Sequence, residues 1–270
     1  MPWILPLIAA LTGAVCASFL SVVSFRLFSG EQFTRGVSHC DHCQRKLTWR
    51  EKIPILSYIV IRGRCTSCHK RIPIAYFLSE LGLGLAFGIA AARWQQISGF
   101  PAAPVSAHDT GLLIFWLFNI AVLGLITIYD IDHMLILDAI VFPAVAVGLA
   151  AIAWLQGFQL QPVLLCLLSA GFDAMFIGAI VALTRGQGMG EGDIKLAFLI
   201  GLITGWPHGV TALFLSFIIG ALFGSLLVLL RRKGMKEAIP FGPFLSLGAV
   251  IALLWGEPLL NWYLNAFIII

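Results

Sequence analysis

Apolar runs near residues 3–24, 74–92, 111–129, 139–156, 162–184, 194–206, 209–230 and 239–256 recur along the whole chain. Each is long enough, or nearly so, for the roughly 20 residues that carry a helix across a hydrocarbon core. Lipid offers the backbone no hydrogen-bond partners, so runs of this kind fold as helices that satisfy their own amides. With 60% of its 270 residues hydrophobic and 11% charged, the chain holds more apolar surface than a water-soluble domain can bury. The expected fold is therefore all-α, a polytopic membrane protein of about eight transmembrane helices. The run at 194–206 is short, which predicts a start below the membrane surface or a tilted crossing. The opening "MPWILPLIAALTG" lacks a basic leading region and a small-residue cleavage site, so it reads as a retained first span. The tail "LLNWYLNAFIII" is too short to span easily.

Residues 26–72 form the one polar stretch of domain size, which divides the chain into a first span (1–25), a polar insert (26–72) and a membrane core (73–270). The net charge of +4 matters less than its distribution. With the N-terminus outside and eight spans, the inner segments carry Arg26, Arg35, Arg45, Lys46, Arg50, Lys52, Arg62, Arg64, Lys70, Arg71, Arg185, Lys195, Arg231, Arg232, Lys233 and Lys236, leaving Arg93 outside. The positive-inside rule selects this orientation, with the insert in the cytoplasm. No helix carries a basic face with interleaved aromatics, so nucleic acid is not an expected partner.

Within the insert stand "CDHC" at 40–43 and "CTSC" at 65–68. Two such knuckles suit a tetrahedral four-thiolate zinc held by Cys40, Cys43, Cys65 and Cys68. A reducing cytoplasm favours zinc over the other reading, a pair of disulfide or redox motifs. His39, His42 and His69 stand adjacent but are not needed. Four protein ligands close the coordination sphere, so the metal would be structural. Cys16 and Cys166 lie in apolar spans and read as core residues.

Acids beside or inside membrane spans are costly and are candidates for function. They are Glu80, Asp130, Asp132, Asp138, Asp173, Glu191 and Asp193. On a continuing helix Asp132 points about 200° away from Asp130, and Asp138 lies more than two turns beyond. A carboxylate pair must therefore come from different segments. Asp193 is the natural second member, because Gly188, Gly190 and Gly192 in "GQGMGEGDIK" allow a sharp turn before it. Two adjacent carboxyls cannot both ionise cheaply. The charged one can accept a proton from water while the protonated one polarises a carbonyl, which is aspartic-protease chemistry. Taken singly, each reads better as an ordinary helix-end acid, with Asp193 favoured by a helix dipole; the two together, on one side and beside glycines, reverse that preference.

The ordered set "SFLSVVSFRL", "CDHC", "IPILSYIVIRGRCTSC", "YFLSELG", "DIDHMLILD", "GMGEGDIK" and "IPFGPFLSLG" resembles the type IV prepilin peptidases over nearly the whole chain. The resemblance implies that Asp130 and Asp193 are the catalytic pair. It implies cleavage of prepilins or pseudopilins at the cytoplasmic membrane face, after the glycine ending a basic leader. In many members S-adenosylmethionine-dependent N-methylation of the new terminus follows. The chain departs from the family at Leu137-Asp138, where Pro-Asp is common, and at Glu191, where an aromatic is common. The four-cysteine insert marks the longer, bifunctional form of the family, with Gly63 and Arg64 as candidates for the methyl-donor site. No Rossmann-type strand–glycine–helix pattern is present, so methylation rests on the resemblance. Asp173 has no counterpart there. Lys195 and the basic insert suit phospholipid headgroups. The rival reading is a membrane transporter using intramembrane acids for proton or cation coupling, which would show acids at the bilayer midplane and inverted repeats.

Overall fold

The computed structural model describes residues 2–29, 39–40, 42–230 and 239–267. Arg35, Arg231, Arg232, Lys233 and Lys236 from the charge count lie outside them. Among the described residues the chain is helical, without a strand, and has two isolated β-bridges. The helices are α1 (Ile4–Ser29), α2 (Leu56–Val60), α3 (Ile74–Ser98), α4 (Ala107–His133), α5 (Asp138–Leu155), α6 (Leu160–Thr184), α7 (Glu191–Thr204), α8 (His208–Leu229) and α9 (Gly242–Phe267). The chain forms two compact units, 1–113 and 114–270.

In the first unit α1 packs along α3, and the polar insert is the excursion between them. Small residues allow the close approach. A side chain at Gly13 would stand 2.7 Å from the Leu83 carbonyl oxygen and 2.8 Å from the Phe87 Cβ. Lipid gives no hydrophobic drive between spans, so close van der Waals contact of this kind holds them together.

In the second unit successive helices reverse direction. Gly178 and the Cys166 thiol of α6 face Ile194 and Gly205, so α6 and α7 are antiparallel. Gly192 meets Ile136 and Gly148 meets Ile203, so α5 and α7 are parallel. Gly220, Gly248 and Gly256 pair with Phe244, Ser216 and His208, which makes α8 and α9 antiparallel. The end of α4 and the starts of α5, α7 and α9 therefore gather at one end of this unit.

Seven helices are long and apolar enough to cross a membrane: all of those named except α2 and α7. The eighth expected span, α7, has 14 residues, about 21 Å against a core of about 30 Å. Its shortness has a packing cause. It touches α5, α6, α8 and α9, and Leu196, Ala197, Leu199, Ile200 and Leu202 are buried. It is the core of the unit rather than a lipid-facing span. Ile194, the fourth residue of α7, lies opposite Gly178 while α6 continues six residues further to Thr184, which recesses the start of α7 by about 4–5 Å. The C-terminal tail differs from expectation. It continues α9 to Phe267 across a kink at Trp255, where Pro258 removes an amide donor and crowds the preceding turn.

Backbone packs against backbone at Gly201, where a Cβ would sit 2.6 Å from the Ser169 carbonyl oxygen and 2.7 Å from the Ala170 Cα. Gly201→Val is expected to destabilise the protein by about 1–3 kcal/mol, read as a lower thermal midpoint in detergent. Gly171→Ala, whose Cβ would meet nothing, should leave the midpoint unchanged or raise it.

Candidate active site and metal centre

The gathered helix ends bring Asp130 and Asp193 within electrostatic reach of one another. Asp130 lies in the last turn of α4 and is 5% exposed; Asp193 lies in the first turn of α7 and is 7% exposed. Each is held in the same way. The backbone N–H of Gly242, the first residue of α9, donates to Asp130 Oδ2 at 2.9 Å. The backbone N–H of Gly190, at the N-cap of α7, donates to Asp193 Oδ2 at 2.9 Å. Unpaired amides and the positive end of the dipole favour a carboxylate at a helix N-terminus. Oδ1 of each aspartate has no hydrogen bond among the described residues and remains available to a reacting molecule. The capping role of Asp193 and membership of a pair are thus compatible, because they use different oxygens.

Gly242 is the functional residue that sequence reasoning passed over. A Cβ there would stand 2.6 Å from Asp130 Oδ2, so any side chain would displace the carboxylate. The signal was present in "FGPF", since Gly-Pro after a polar loop marks a helix start. Gly192 likewise has no room for a side chain, with the Ile136 Cβ 2.9 Å from its would-be Cβ.

The remaining acids stand apart from the pair. Asp132 and Glu191 are exposed. Asp138 accepts a hydrogen bond from Lys195 Nζ at 2.5 Å, so the Lys195 charge, expected to meet headgroups, is committed within the protein. Asp173 is fully buried, turned to Gly209 near the start of α8, and neither of its oxygens has a partner among the described residues. Glu80 Oε2 accepts the Ile55 backbone N–H at 2.7 Å and serves the insert.

The four insert cysteines converge, their sulfurs all within 4.8 Å of one another. Cys40 and Cys68 are 3.9 Å apart, as are Cys43 and Cys65. A disulfide needs about 2.05 Å. A tetrahedron of zinc–sulfur bonds of about 2.3 Å has edges of about 3.8 Å, so the residues fit zinc. The two knuckles repeat one fold. In each, the first cysteine N–H bonds a carbonyl five residues on, from Arg45 and from Lys70. In each, a left-handed residue follows the second cysteine, Gln44 or His69, both with φ 56°. Amides of Cys68 and Ser67 bonded to its sulfur lower the Cys65 thiol while its neighbour Cys68 is raised, so the first proton lost from the cluster leaves the thiolate that binds metal.

Glu51 ties the knuckles together. It accepts hydrogen bonds from Arg45 Nη2 of the first, Thr66 Oγ1 of the second, and the Thr48 N–H and Oγ1. The Thr66 bond first, then the Thr48 amide and Arg45, hold its carboxyl at about 2. A depressed folded value means that this stabilisation is complete above the ordinary carboxylate range and is lost as pH falls toward about 2. Gly63 has a backbone role. It takes φ 62° after α2, its N–H bonds the Tyr58 carbonyl, and its carbonyl accepts the Ile72 N–H. Gly63 and Arg64 also line an open cavity of about 610 Å³ with Arg62 and Arg71. Glu51→Gln should uncouple the knuckles without altering a cysteine. Amide hydrogen exchange across residues 42–72 should quicken on the order of tenfold.

Comparison with known proteins places this geometry. Residues 11–94 match the Bacterial Peptidase A24 N-terminal domain, and residues 117–225 match the Type IV leader peptidase family. A protein of Aeromonas hydrophila named prepilin leader peptidase/N-methyltransferase is 36% identical over 86% of this chain and 76% of its own length. Proteins of the same name from Bacillus subtilis (strain 168) and Legionella pneumophila are 32% and 30% identical, covering 94% and 98% of this chain and 95% and 96% of theirs. No solved structure matches. Both segments of the chain, its cysteine insert and its paired acids thus lead to one conclusion: the chain belongs to the type IV leader peptidase family.

Proposed function

We infer that the chain is a membrane aspartic endopeptidase that removes the leader of type IV prepilins or pseudopilins and then N-methylates the new terminus with S-adenosylmethionine. It is a multi-pass protein of the inner membrane, and the distribution of Lys and Arg argues for an outside N-terminus with insert and acids at the cytoplasmic face. The observation that carries the peptidase reading is the pairing of Asp130 and Asp193, each with one oxygen held by a glycine amide and one left unbonded.

Hydrolysis follows from that arrangement. The pair shares one proton, because a second charge in a buried site is too costly. The charged member removes a proton from a water molecule, and the water oxygen bonds to the scissile carbonyl carbon. The protonated member gives its proton to the carbonyl oxygen. Collapse of the tetrahedral adduct breaks the C–N bond: the departing amine takes the proton that came from water, and one hydroxyl of the adduct returns its proton to the other aspartate, which restores the shared proton. The Gly190 and Gly242 amides keep each carboxylate oriented and need not move during the reaction.

The insert is proposed as a zinc module with structural metal on Cys40, Cys43, Cys65 and Cys68, and residues 1–25, 26–72 and 73–270 as first span, module and peptidase core. The methyl donor is proposed to lie beside Gly63 and Arg64. Their cavity has a volume suited to a cofactor, and its guanidiniums match the donor's carboxylate. When bound, the donor would supply a methyl group to the freed amine. Among the described residues no acid lines this cavity, which favours the carboxylate as the end held.

Asp130→Asn and Asp193→Asn should each lower prepilin cleavage by at least about a hundredfold while the protein still inserts, whereas Asp132→Asn and Asp138→Asn should cost far less. Full cleavage by Asp193→Asn protein would refute the pair. Gly242→Ala should depress cleavage as well, through displacement of Asp130, with no change of charge. Elemental analysis of reduced protein should find a single zinc that is lost in Cys65→Ser. Mass spectrometry of pre-cleaved pilin should show methylation retained by Asp193→Asn and reduced by the cysteine variants.

A further inference from the structure

The segment between the two knuckles carries an apolar face that nothing among the described residues of its unit covers. Trp49, Ile53, Leu56, Ile59 and Val60 are exposed, Val60 at 77%, and an open groove of about 640 Å³ runs between several of them. Such a patch on a cytoplasmic module would be a liability unless something meets it.

Its position says what meets it. Three contacts hold α2 against the start of α3. The Ile55 amide bonds Glu80, the Tyr58 ring stacks on Phe77 at 5.2 Å, and the Tyr58 hydroxyl donates to the Ile72 carbonyl at 3.3 Å. The elbow at Ile55 is strained, with φ 64° at a β-branched residue, and Glu80 fixes it. These contacts hold α2 beside the first two turns of α3. With 25 residues, α3 is about 37 Å long, about one and a half turns more than the hydrocarbon core needs. Its own first turns expose Ile74 and Leu78 on the outer surface. The exposed side chains of α2 therefore stand at the depth where acyl chains begin. Arg50, stacked over Trp49 at 5.3 Å, and exposed Lys52 and Arg62 flank them. Tryptophan with basic residues beside an apolar face is the composition that favours a headgroup–acyl boundary.

We propose that Trp49–Val60 is an interfacial anchor, which sinks its apolar face into the leaflet where α3 begins and meets anionic phospholipid headgroups with Arg50, Lys52 and Arg62. The anchor fixes the height of the cysteine module over the membrane, because Glu51 joins this same segment to both knuckles.

The test places the photoreactive residue p-benzoylphenylalanine at Val60 of the full-length protein, in vesicles of phosphatidylethanolamine and phosphatidylglycerol. Phe19, exposed within α1, is the lipid-facing control, and Ser67 is the water-facing one. Lipid adducts at Val60 are expected within about twofold of those at Phe19, with phosphatidylglycerol enriched among them. Replacing Arg50, Lys52 and Arg62 by Gln should reduce that enrichment by at least about fivefold. Adduct yields at Val60 no higher than at Ser67 would overturn the proposal. So would adducts to added prepilin in place of lipid, which would make the face a substrate groove. The readout needs no peptidase activity, so it stands or falls separately from the catalytic assignment.

Discussion

A charged carboxylate among apolar helices persists only where hydrogen-bond donors and a favourable field replace the water it has lost. In this chain both come from helix N-termini. The amide of Gly242 at the start of α9 serves Asp130, and that of Gly190 at the cap of α7 serves Asp193. Much of the second unit follows from this requirement. The starts of α7 and α9 must meet the end of α4, which demands the alternating directions of the helices. Glycine must occupy 242, because the carboxylate lies where a Cβ would go.

The central place of α7 is the second consequence. A short helix surrounded by four others can present its first turn below the ends of its neighbours, where an acid is shielded yet close to the surface. The shortness that makes α7 a poor membrane crossing lets it carry a buried acid close to the end of the unit.

In the first unit one carboxylate organises the insert. Glu51 gathers donors from both knuckles, while Glu80 reaches from α3 to the elbow before α2. The module is thereby coupled to its own membrane helix by directed bonds rather than by a hydrophobic core, which a segment of this size and polarity could not build. Hydrogen bonds, and four cysteines placed to hold a metal, take the place of that core.

Several features were legible in the residues alone. Apolar runs of span length dictate helices, because lipid permits nothing else to a single chain segment. The spacing of Cys40, Cys43, Cys65 and Cys68 announces a four-thiolate site, because two-residue loops have few other uses in a polar insert. Paired acids beside glycines raised the dyad, and the motifs around them carried the family. The partners of those acids were not legible. Gly242 lies 112 residues from Asp130, and no local propensity couples them. Nor could the sequence distinguish Lys195 as a headgroup ligand from Lys195 bonded to Asp138, since that contact joins the starts of two helices made neighbours by packing. Local chemistry determined which residues were fit for a task. Only the tertiary arrangement, which brings helix ends together across long stretches of chain, decided which oxygen each donor meets and which charges are already spoken for.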